Sequence, residues 1–198
     1  MEVKVAKTAG FCFGVKRAVE KAYEVAEQRQ GEVYTYGPII HNEEVVADLA
    51  NKGVQVLETE NELRKLEKGT VIIRSHGVPK YIYELLKEKH LDYVDVTCPF
   101  VLKIHRIVEE ESKKGRHIVI VGNAEHPEVA GIKGWCRGDC TVLKTKEEAR
   151  NFLEKGYEKV CVVSQTTFNY NNFQEIVEIL SEKRYDRLVI NTICNATQ

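Results

Sequence analysis

Hydrophobic residues recur along this chain with two different periods. Short runs rich in β-branched residues predict strands, and the stretches between them have apolar residues three and four positions apart, which predicts helices. Residues 15–29 show the second pattern, and Gly31 follows where a glycine can end the helix. Alternating strands and helices are typical of an α/β fold with mainly parallel strands. The predicted strands cover residues 3–5, 32–36, 53–57, 70–73, 93–96, 117–121, 141–144, 160–163 and 188–191.

Three further helices have recognisable first residues. Asn42 can cap a helix over residues 43–51, because its side chain can accept a hydrogen bond from a free backbone amide of the first turn. Pro79 and Pro99 each stand where another helical pattern begins, and the first turn of a helix tolerates proline. The sequence contains no glycine-rich, proline-rich or serine-rich linker between these elements.

The chain repeats one order of motifs twice. Each copy runs from a cysteine through a strand followed by Gly-x-x-x-His, and then through a strand followed by Ser-His or Ser-Gln, to a closing strand and the next cysteine. His41 comes 29 residues after Cys12, and His126 comes 28 residues after Cys98. This agreement in order and spacing predicts two copies of one α/β lobe.

The repeat also predicts the domain organisation. The strand at residues 3–5 leads into Cys12 as the closing strand of each copy leads into Cys98 and Cys194. If three copies close around a pseudo-threefold axis, the third begins at Cys194 and needs a further 86 to 96 residues, by the spacing of the cysteines. We interpret the third lobe as truncated. We predict that residues 1–12 supply a strand of the third lobe and that residues 13–97 form the first lobe. Residues 98–193 form the second lobe, and residues 194–198 begin the third.

Composition and charge exclude several classes of function. The 29 Lys and Arg residues are balanced by 30 Asp and Glu residues, so the chain lacks the positive field that binding to a nucleic-acid backbone requires. No apolar run reaches the roughly 18 to 20 residues of a membrane span, and no signal peptide pattern precedes the first lobe. We therefore expect a cytoplasmic protein with no nucleic-acid and no membrane partner.

Three of the six cysteines, Cys12, Cys98 and Cys194, follow predicted strands, where open α/β sheets bind their ligands. Cys12 also precedes a helix, whose N-terminus favours a thiolate. Three thiols from distant points of the chain could hold zinc with a histidine as fourth ligand, or an iron–sulfur cluster with one iron open to substrate. Their spacing leaves both alternatives open.

The other three cysteines have different surroundings in the sequence. Cys136 and Cys140 lie in a loop rich in glycine and charge, and are either half of a second metal site or solvent-facing thiols. Cys161 lies within an apolar strand, so we predict that it belongs to the core.

Polar residues that suit an anionic ligand follow other predicted strands. His41, His76 and His126 could together bind a phosphate or diphosphate with the amides of helix N-termini. Glu128, two residues after His126, is the carboxylate best placed to carry a proton, and Glu43 has the parallel position in the first copy. For both glutamates the alternative is an ordinary acidic residue in a first helical turn.

Two threonines occupy the corresponding position in the second copy. Thr166 and Thr167 offer hydroxyl groups directly after a strand. Their alternative role is to cap the next helix, which Asn169 or Asn171 could do equally well.

Seven motifs, taken in order, resemble those of a known family, the 4-hydroxy-3-methylbut-2-enyl diphosphate reductases of the methylerythritol phosphate route to isoprenoids. The resemblance extends over the whole chain. The motifs are Gly10-Phe11-Cys12-Phe13-Gly14-Val15, His41-Asn42, Ser75-His76-Gly77-Val78, Thr97-Cys98-Pro99, His126-Pro127-Glu128, Gln165-Thr166-Thr167 and Ile193-Cys194-Asn195-Ala196-Thr197.

This resemblance implies a three-lobed α/β fold around a central [4Fe-4S] cluster, one per chain, held by Cys12, Cys98 and Cys194. The fourth iron would bind the substrate hydroxyl oxygen and act as both Lewis acid and electron conduit. The implied reaction is a two-electron reductive dehydroxylation that yields isopentenyl and dimethylallyl diphosphate. A small carrier such as ferredoxin or flavodoxin would supply the electrons.

The resemblance also implies roles for individual residues. Glu128 matches the residue that relays protons, and Thr166 matches one that positions the substrate alcohol. The family's third lobe adds a Ser-x-Asn motif and a further serine to the diphosphate site, and this chain contains neither. The residues assigned to binding of the substrate and its diphosphate are His41, His76, His126 and Thr167.

Other functions fit parts of the same sequence. The three cysteines with one histidine could form the Cys3His site of a zinc-binding α/β protein. A two-lobe anion-binding module without metal would use only the histidines and the helix N-termini. An inactive truncated form of the reductase is a further alternative.

Overall fold

The computed structural model describes residues 3–4, 9–28, 31–152, 157–182 and 185–197. The chain divides into two compact units, and each contains one four-stranded parallel sheet. Unit 1 comprises residues 1–75 and 91–98, and unit 2 comprises residues 76–90 and 99–198. None of the helices in the described residues combines the length and apolar character needed to cross a membrane.

Unit 1 has the strand order β2-β1-β3-β4, with every neighbouring pair parallel. Val33 of the first strand pairs with Val54 on one side and Thr70 on the other, which sets the register. The elements are α1 (Phe13–Gln28), β1 (Val33–Tyr36), α2 (Glu43–Asn51), β2 (Val54–Leu57), α3 (Glu60–Lys65), β3 (Thr70–Ile73) and β4 (Asp92–Asp95).

The core of unit 1 forms where α1 packs on the sheet. Ala18, Ala22 and Val25 recur at helical spacing on one face of α1, and all three are buried. They belong to one hydrophobic cluster with the sheet residues Val33 and Ile72. The small side chains of the alanines let the helix approach the strands closely.

Unit 2 has the strand order β6-β5-β7-β8, again with parallel pairs throughout. Its helix α4 lies between β3 and β4 in the chain but groups with the second unit. The elements are α4 (Lys80–Glu88), α5 (Pro99–Lys113), β5 (His117–Val121), α6 (Pro127–Lys133), β6 (Cys140–Leu143), α7 (Lys146–Phe152), β7 (Lys159–Ser164), α8 (Tyr170–Ser181), β8 (Asp186–Val189) and a 3-10 turn at Asn195–Thr197.

Alternate residues of β5 and β7 face two different hydrophobic clusters. Helices α7 and α8 contribute side chains to one cluster, and α5 and α6 contribute to the other. Because both faces are buried, the strands consist of continuous apolar runs rather than alternating ones. Cys161 is fully buried in the cluster that includes α5 and α6, so its predicted place in the core is confirmed.

The two sheets have the same strand order, with the first strand in the chain lying between the second and the third. The prediction of repeated α/β lobes with mainly parallel sheets is therefore confirmed. The pseudo-threefold axis and the domain boundaries inferred from the repeat stay predictions. Residues 3–4 of the strand predicted at 3–5 form no strand, and Val5 lies outside the described residues.

Local signals located several elements correctly. The Asn42 side chain accepts a hydrogen bond of 2.9 Å from the Val45 amide and caps α2, as predicted. Pro99 is the first residue of α5. The last strand differs, because β8 begins and ends two residues before the predicted run of 188–191. Its ladder to β7 gives way at Thr192 to side-chain hydrogen bonds with Ser164.

Candidate functional site

In unit 1, hydrogen bonds tie together the loops that follow three neighbouring strands. The buried Ser75, two residues after β3, donates from its hydroxyl to the Ile39 carbonyl across 3.1 Å. Its own carbonyl accepts from the Cys98 amide at 2.9 Å. His41, two residues beyond Ile39, is exposed. Unit 1 therefore presents His41 and Cys98 on loops of the same sheet edge, as expected for parallel strands.

Gly14 leaves room for the thiol of Cys98. A Cβ atom built on Gly14 would lie 2.6 Å from the Cys98 sulfur, closer than real Cβ atoms approach. Cys12 precedes Gly14 by two residues and is exposed at the start of α1, where its carbonyl accepts from the Lys16 amide. Arg17, one turn further on, donates a 2.6 Å hydrogen bond to the Thr97 carbonyl. Two of the three predicted metal-binding cysteines thus lie near Gly14, Cys12 in the sequence and Cys98 in space.

We expect Gly14→Ala to destabilise the protein, although alanine is the better helix former. The added methyl group must displace the Cys98 sulfur, and overpacking of this kind costs about 1 to 3 kcal/mol. Thermal unfolding should show a fall in Tm of several degrees. The exposed Glu27→Ala on the same helix is the control and should change the stability little. An unchanged Tm for Gly14→Ala would contradict the close packing.

In unit 2, the loops after β5 and β7 are joined through Gln165. Its amide donates to the Val121 carbonyl at 2.9 Å. Its side-chain oxygen accepts from the Asn123 amide at 3.0 Å, and its side-chain nitrogen donates to the Thr167 hydroxyl at 2.9 Å. The next residue, Thr166, accepts from the Cys194 amide at 2.8 Å. These bonds fix the loop carrying Thr166 and Thr167 beside the segment that carries Cys194.

Glu128 is buried in the first turn of α6 and is bound by Thr166. One carboxylate oxygen accepts from the Thr166 amide and the other from its hydroxyl, both at 2.6 Å. Only 1% of Glu128 is exposed. Burial raises the pKa of this carboxyl, and the two bonds from Thr166 oppose the rise. The side chain therefore keeps a proton to higher pH than an exposed glutamate would.

His126 positions the start of α6. Its Nδ1 atom accepts a 3.1 Å hydrogen bond from the Glu128 amide, so the imidazole caps the helix. The ring meets that of His76 edge to face, with centroids 5.4 Å apart. Gly77 follows His76 with a φ of +71°, a conformation that glycine adopts without strain. Unit 2 thus brings together two histidines that are predicted to bind diphosphate, and one of them caps the helix that carries the buried carboxyl.

The predicted site residues divide between the two units. Thr166 and Thr167 do not cap α8, because Asn169 does so by accepting from the Asn172 amide at 3.0 Å. Glu43, the counterpart of Glu128, is exposed. Unit 1 holds Cys12, His41 and Cys98, and unit 2 holds His76, His126, Glu128, Thr166, Thr167 and Cys194.

Two residues at these strand ends have structural roles that the sequence did not indicate. Gln165 bridges two loops, as described above. Arg74 follows β3 and packs over Gly37, where a Cβ atom would lie 2.1 Å from the guanidinium. Burial lowers the pKa of Arg74. The position of Arg74 in the sequence, directly between a buried strand and the Ser75-His76 pair, could have indicated this role.

Comparison with known proteins places the chain in a family. The LytB protein family matches residues 3–198. A 4-hydroxy-3-methylbut-2-enyl diphosphate reductase from Caldanaerobacter subterraneus subsp. tengcongensis is 52% identical over 200 residues, which cover 100% of this chain and 68% of the relative. The reductase of the same name from Clostridioides difficile is 44% identical over 199 residues, covering 100% of this chain and 70% of the relative.

Solved structures agree in fold with this chain. A structure of (E)-4-hydroxy-3-methyl-but-2-enyl diphosphate reductase, the terminal enzyme of the non-mevalonate pathway, matches with a TM-score of 0.84 and 43% identity, covering 98% of this chain and 68% of that one. The E-1-hydroxy-2-methyl-but-2-enyl-4-diphosphate reductase from Plasmodium falciparum matches with a TM-score of 0.86 and 28% identity, covering 96% and 60%. With a family match over nearly its whole length and a relative at 52% identity, this chain belongs to the LytB family.

Proposed function

We propose that this protein reduces 4-hydroxy-3-methylbut-2-enyl diphosphate to isopentenyl diphosphate and dimethylallyl diphosphate. The reaction takes up two electrons and two protons and releases the substrate hydroxyl as water. It is the last step of the methylerythritol phosphate pathway. Membership of the LytB family and the shared name of the relatives support this assignment. The fold agrees with that of a solved reductase at 43% identity.

The observation that carries the proposal is the buried pair of Glu128 and Thr166. Removal of a hydroxyl group as water requires a proton at a poor leaving group, and a positioned acid supplies it. Glu128 is a carboxyl whose pKa is raised by burial, so it keeps its proton to higher pH than an exposed glutamate does, as a proton donor must. The hydrogen bonds from Thr166 hold both of its oxygens in place.

Thr166 can connect this acid to the substrate. When Glu128 is protonated, its hydroxyl donates to Thr166 Oγ1, which lies 2.6 Å away. The threonine hydroxyl then turns its own hydrogen toward the alcohol oxygen of the substrate. We propose that Thr166 positions the alcohol and passes the proton, while Thr167, held by Gln165, adds a substrate contact.

The three histidines would bind the diphosphate of the substrate. His76 and His126 meet edge to face within unit 2, and His126 Nδ1 accepts from the Glu128 amide, so the ring N–H of neutral His126 is at Nε2. His41 stands exposed ahead of α2 in unit 1. Imidazole N–H groups donate to phosphate oxygens.

We expect the variants His41→Ala, His76→Ala and His126→Ala to raise KM for the substrate. Each removes a hydrogen-bond donor to an anionic group, and such bonds contribute about 1.5 to 3 kcal/mol, or roughly 10- to 150-fold in binding. Steady-state kinetics with each variant would measure this, and a fall in kcat as well would indicate a role in the transition state. Unchanged kinetics in all three would refute the assignment.

The cysteines fit the iron–sulfur cofactor on which this family depends. All six cysteines are free of disulfides, and Gly14 makes the space that the Cys98 sulfur occupies between α1 and the loop after β4. Cys12, Cys98 and Cys194 would hold one [4Fe-4S] cluster per chain. When bound, such a cluster supplies electrons and an open iron that polarises the substrate oxygen. The electron donor, ferredoxin or flavodoxin, and the cytoplasmic location stay predictions.

Anaerobic purification followed by iron, sulfide and zinc analysis tests the proposal against its main alternative. The reductase should be brown, should contain iron and acid-labile sulfide, and should convert the substrate when a chemical reductant is supplied. A colourless protein with stoichiometric zinc would instead support the Cys3His alternative. An anion-binding module without metal would contain neither.

A further inference from the structure

The segment that carries His76 runs along α6 and is attached to the turn that ends this helix. The Val78 carbonyl accepts a 2.9 Å hydrogen bond from Nε1 of Trp135, and the Lys80 amide donates to the Gly134 carbonyl at 3.4 Å. All of these residues belong to unit 2, although the segment lies between two strands of unit 1 in the chain. The backbone that follows His76 is therefore held by the end of α6.

Gly134 leaves the space into which Pro79 fits. A Cβ atom built on Gly134 would lie 2.3 Å from the Cβ atom of Pro79 and 2.7 Å from its Cα atom, closer than real Cβ atoms approach. The φ of Gly134 is −70°, which any residue can adopt, so its conformation does not require glycine. The close approach of Pro79 to the end of the helix requires it instead.

Gly131, which lies within α6, has more room than Gly134. A Cβ atom built on Gly131 would lie 3.6 Å from the backbone of Gly77, the residue after His76, and equally far from Nε2 of His105. These are ordinary van der Waals distances, so a methyl group fits here without moving its neighbours. The two glycines therefore separate a tight contact with the segment from an ordinary one.

The indole ring of Trp135 is held in its orientation by side chains of α4 and α5. It stacks on His105, with centroids 5.0 Å apart and planes 16° apart, and Tyr83 meets it edge to face at 5.8 Å. Nζ of Lys80 lies 5.8 Å from the centre of the indole ring and forms an ion pair of 2.6 Å with Glu109. The indole N–H group therefore keeps its direction toward the carbonyl that it binds.

We infer that the end of α6 positions His76 against His126, so that unit 2 presents both imidazoles to the diphosphate as one preformed pair. The positioning residues are Trp135 and Gly134. The two imidazole rings meet with centroids 5.4 Å apart, and the Glu128 amide holds the ring of His126 through its Nδ1 atom. The inference rests on the proposed function, in which these histidines bind the substrate diphosphate. A pair that is already in place loses less conformational freedom on binding, which favours affinity.

Binding of inorganic diphosphate to the whole protein, measured by isothermal titration calorimetry, tests the inference without requiring turnover. Trp135→Phe keeps an aromatic ring for the stacking contacts and removes the N–H group. We expect it to raise Kd about 2- to 10-fold, the factor that one net hydrogen bond contributes. Gly134→Ala should also raise Kd, because its methyl group must displace Pro79. This second variant keeps the test decisive if Trp135→Phe does not fold.

Two control variants separate positioning from a general loss of stability. Gly131→Ala adds the same methyl group to the same helix where it fits, and should leave Kd unchanged. Ile176→Val removes a buried methyl group from the cluster that includes α7 and α8. It should lower Tm, measured by circular dichroism, and should also leave Kd unchanged.

Double variants show whether Trp135 acts through His76. When Trp135→Phe is combined with His76→Ala, Kd should rise no further than in His76→Ala alone, because the ring that Trp135 positions is already absent. When it is combined with His41→Ala in unit 1, the two factors should multiply. A general loss of stability would give the same factor in both combinations.

Two results would overturn this inference and leave the reductase proposal intact. One is that the unaltered protein binds diphosphate and both Trp135→Phe and Gly134→Ala bind it equally well. The other is that Trp135→Phe weakens binding by its full factor even when His76 is alanine. If the unaltered protein bound no diphosphate, the diphosphate role of the histidines in the proposed function would fail, and this inference with it.

Discussion

Glu128→Gln should lower turnover by about 10²- to 10⁴-fold, or roughly 3 to 5 kcal/mol in the barrier, while substrate still binds. Glutamine keeps the shape of the side chain. Its oxygen can accept from the Thr166 amide, and its nitrogen can donate to the Thr166 hydroxyl, so both contacts survive. The amide cannot release a proton, and only the acid function is lost. Single-turnover and steady-state kinetics of the cluster-loaded whole protein would measure the effect.

Glu43→Gln is the matched control for this experiment. Glu43 has the parallel position in the first repeat, at the start of α2, but its side chain is exposed. Its replacement should leave turnover near that of the unaltered protein. If Glu43→Gln impaired turnover and Glu128→Gln did not, the proton donor would have been assigned to the wrong repeat.

Replacing any one of Cys12, Cys98 and Cys194 by serine should abolish retention of the iron–sulfur cluster. Three protein thiolates are the smallest set that holds a cluster with one open iron, and a serine hydroxyl is a far poorer ligand for iron at neutral pH. Iron and acid-labile sulfide content after anaerobic purification would fall to background. The visible absorption of the cluster would disappear with them.

Cys136→Ser and Cys161→Ser are the controls, and both should retain the cluster. Cys161 is buried in the core, so the folding of its variant should be checked by circular dichroism before the iron content is compared. A full complement of iron and sulfide in the Cys98→Ser protein would refute the three-ligand assignment, whatever the other variants show.

Much of the fold could be predicted from local patterns. Continuous apolar runs located β3 and β5 at their observed bounds, and Asn42 and Pro99 marked the starts of their helices. These signals are local because a strand buried on both faces and a capped helix each depend on neighbouring residues. The repeated order of motifs predicted repeated lobes, and the two sheets share one strand order.

The edges of elements were harder to predict. The chain is still apolar at Ile190, one residue beyond the end of β8, so composition did not show where the ladder stops. Pairing with β7 decides that end, since Thr192 turns its hydroxyl to the Ser164 carbonyl at 2.6 Å. A side-chain contact between residues 28 positions apart ends the strand, and no pattern within the strand records it.

By itself, the sequence determined the family, the repeated α/β architecture and the set of residues able to carry the chemistry. Only the tertiary structure decided which of two equivalent glutamates is buried, because the oxygens of Glu128 are bound by Thr166, 38 residues away, while Glu43 stays in solvent. It likewise showed that Gly14 makes space for the Cys98 sulfur. Residue types and spacing follow from the sequence, but burial, pKa and contact arise where distant segments meet, so they depend on the folded chain.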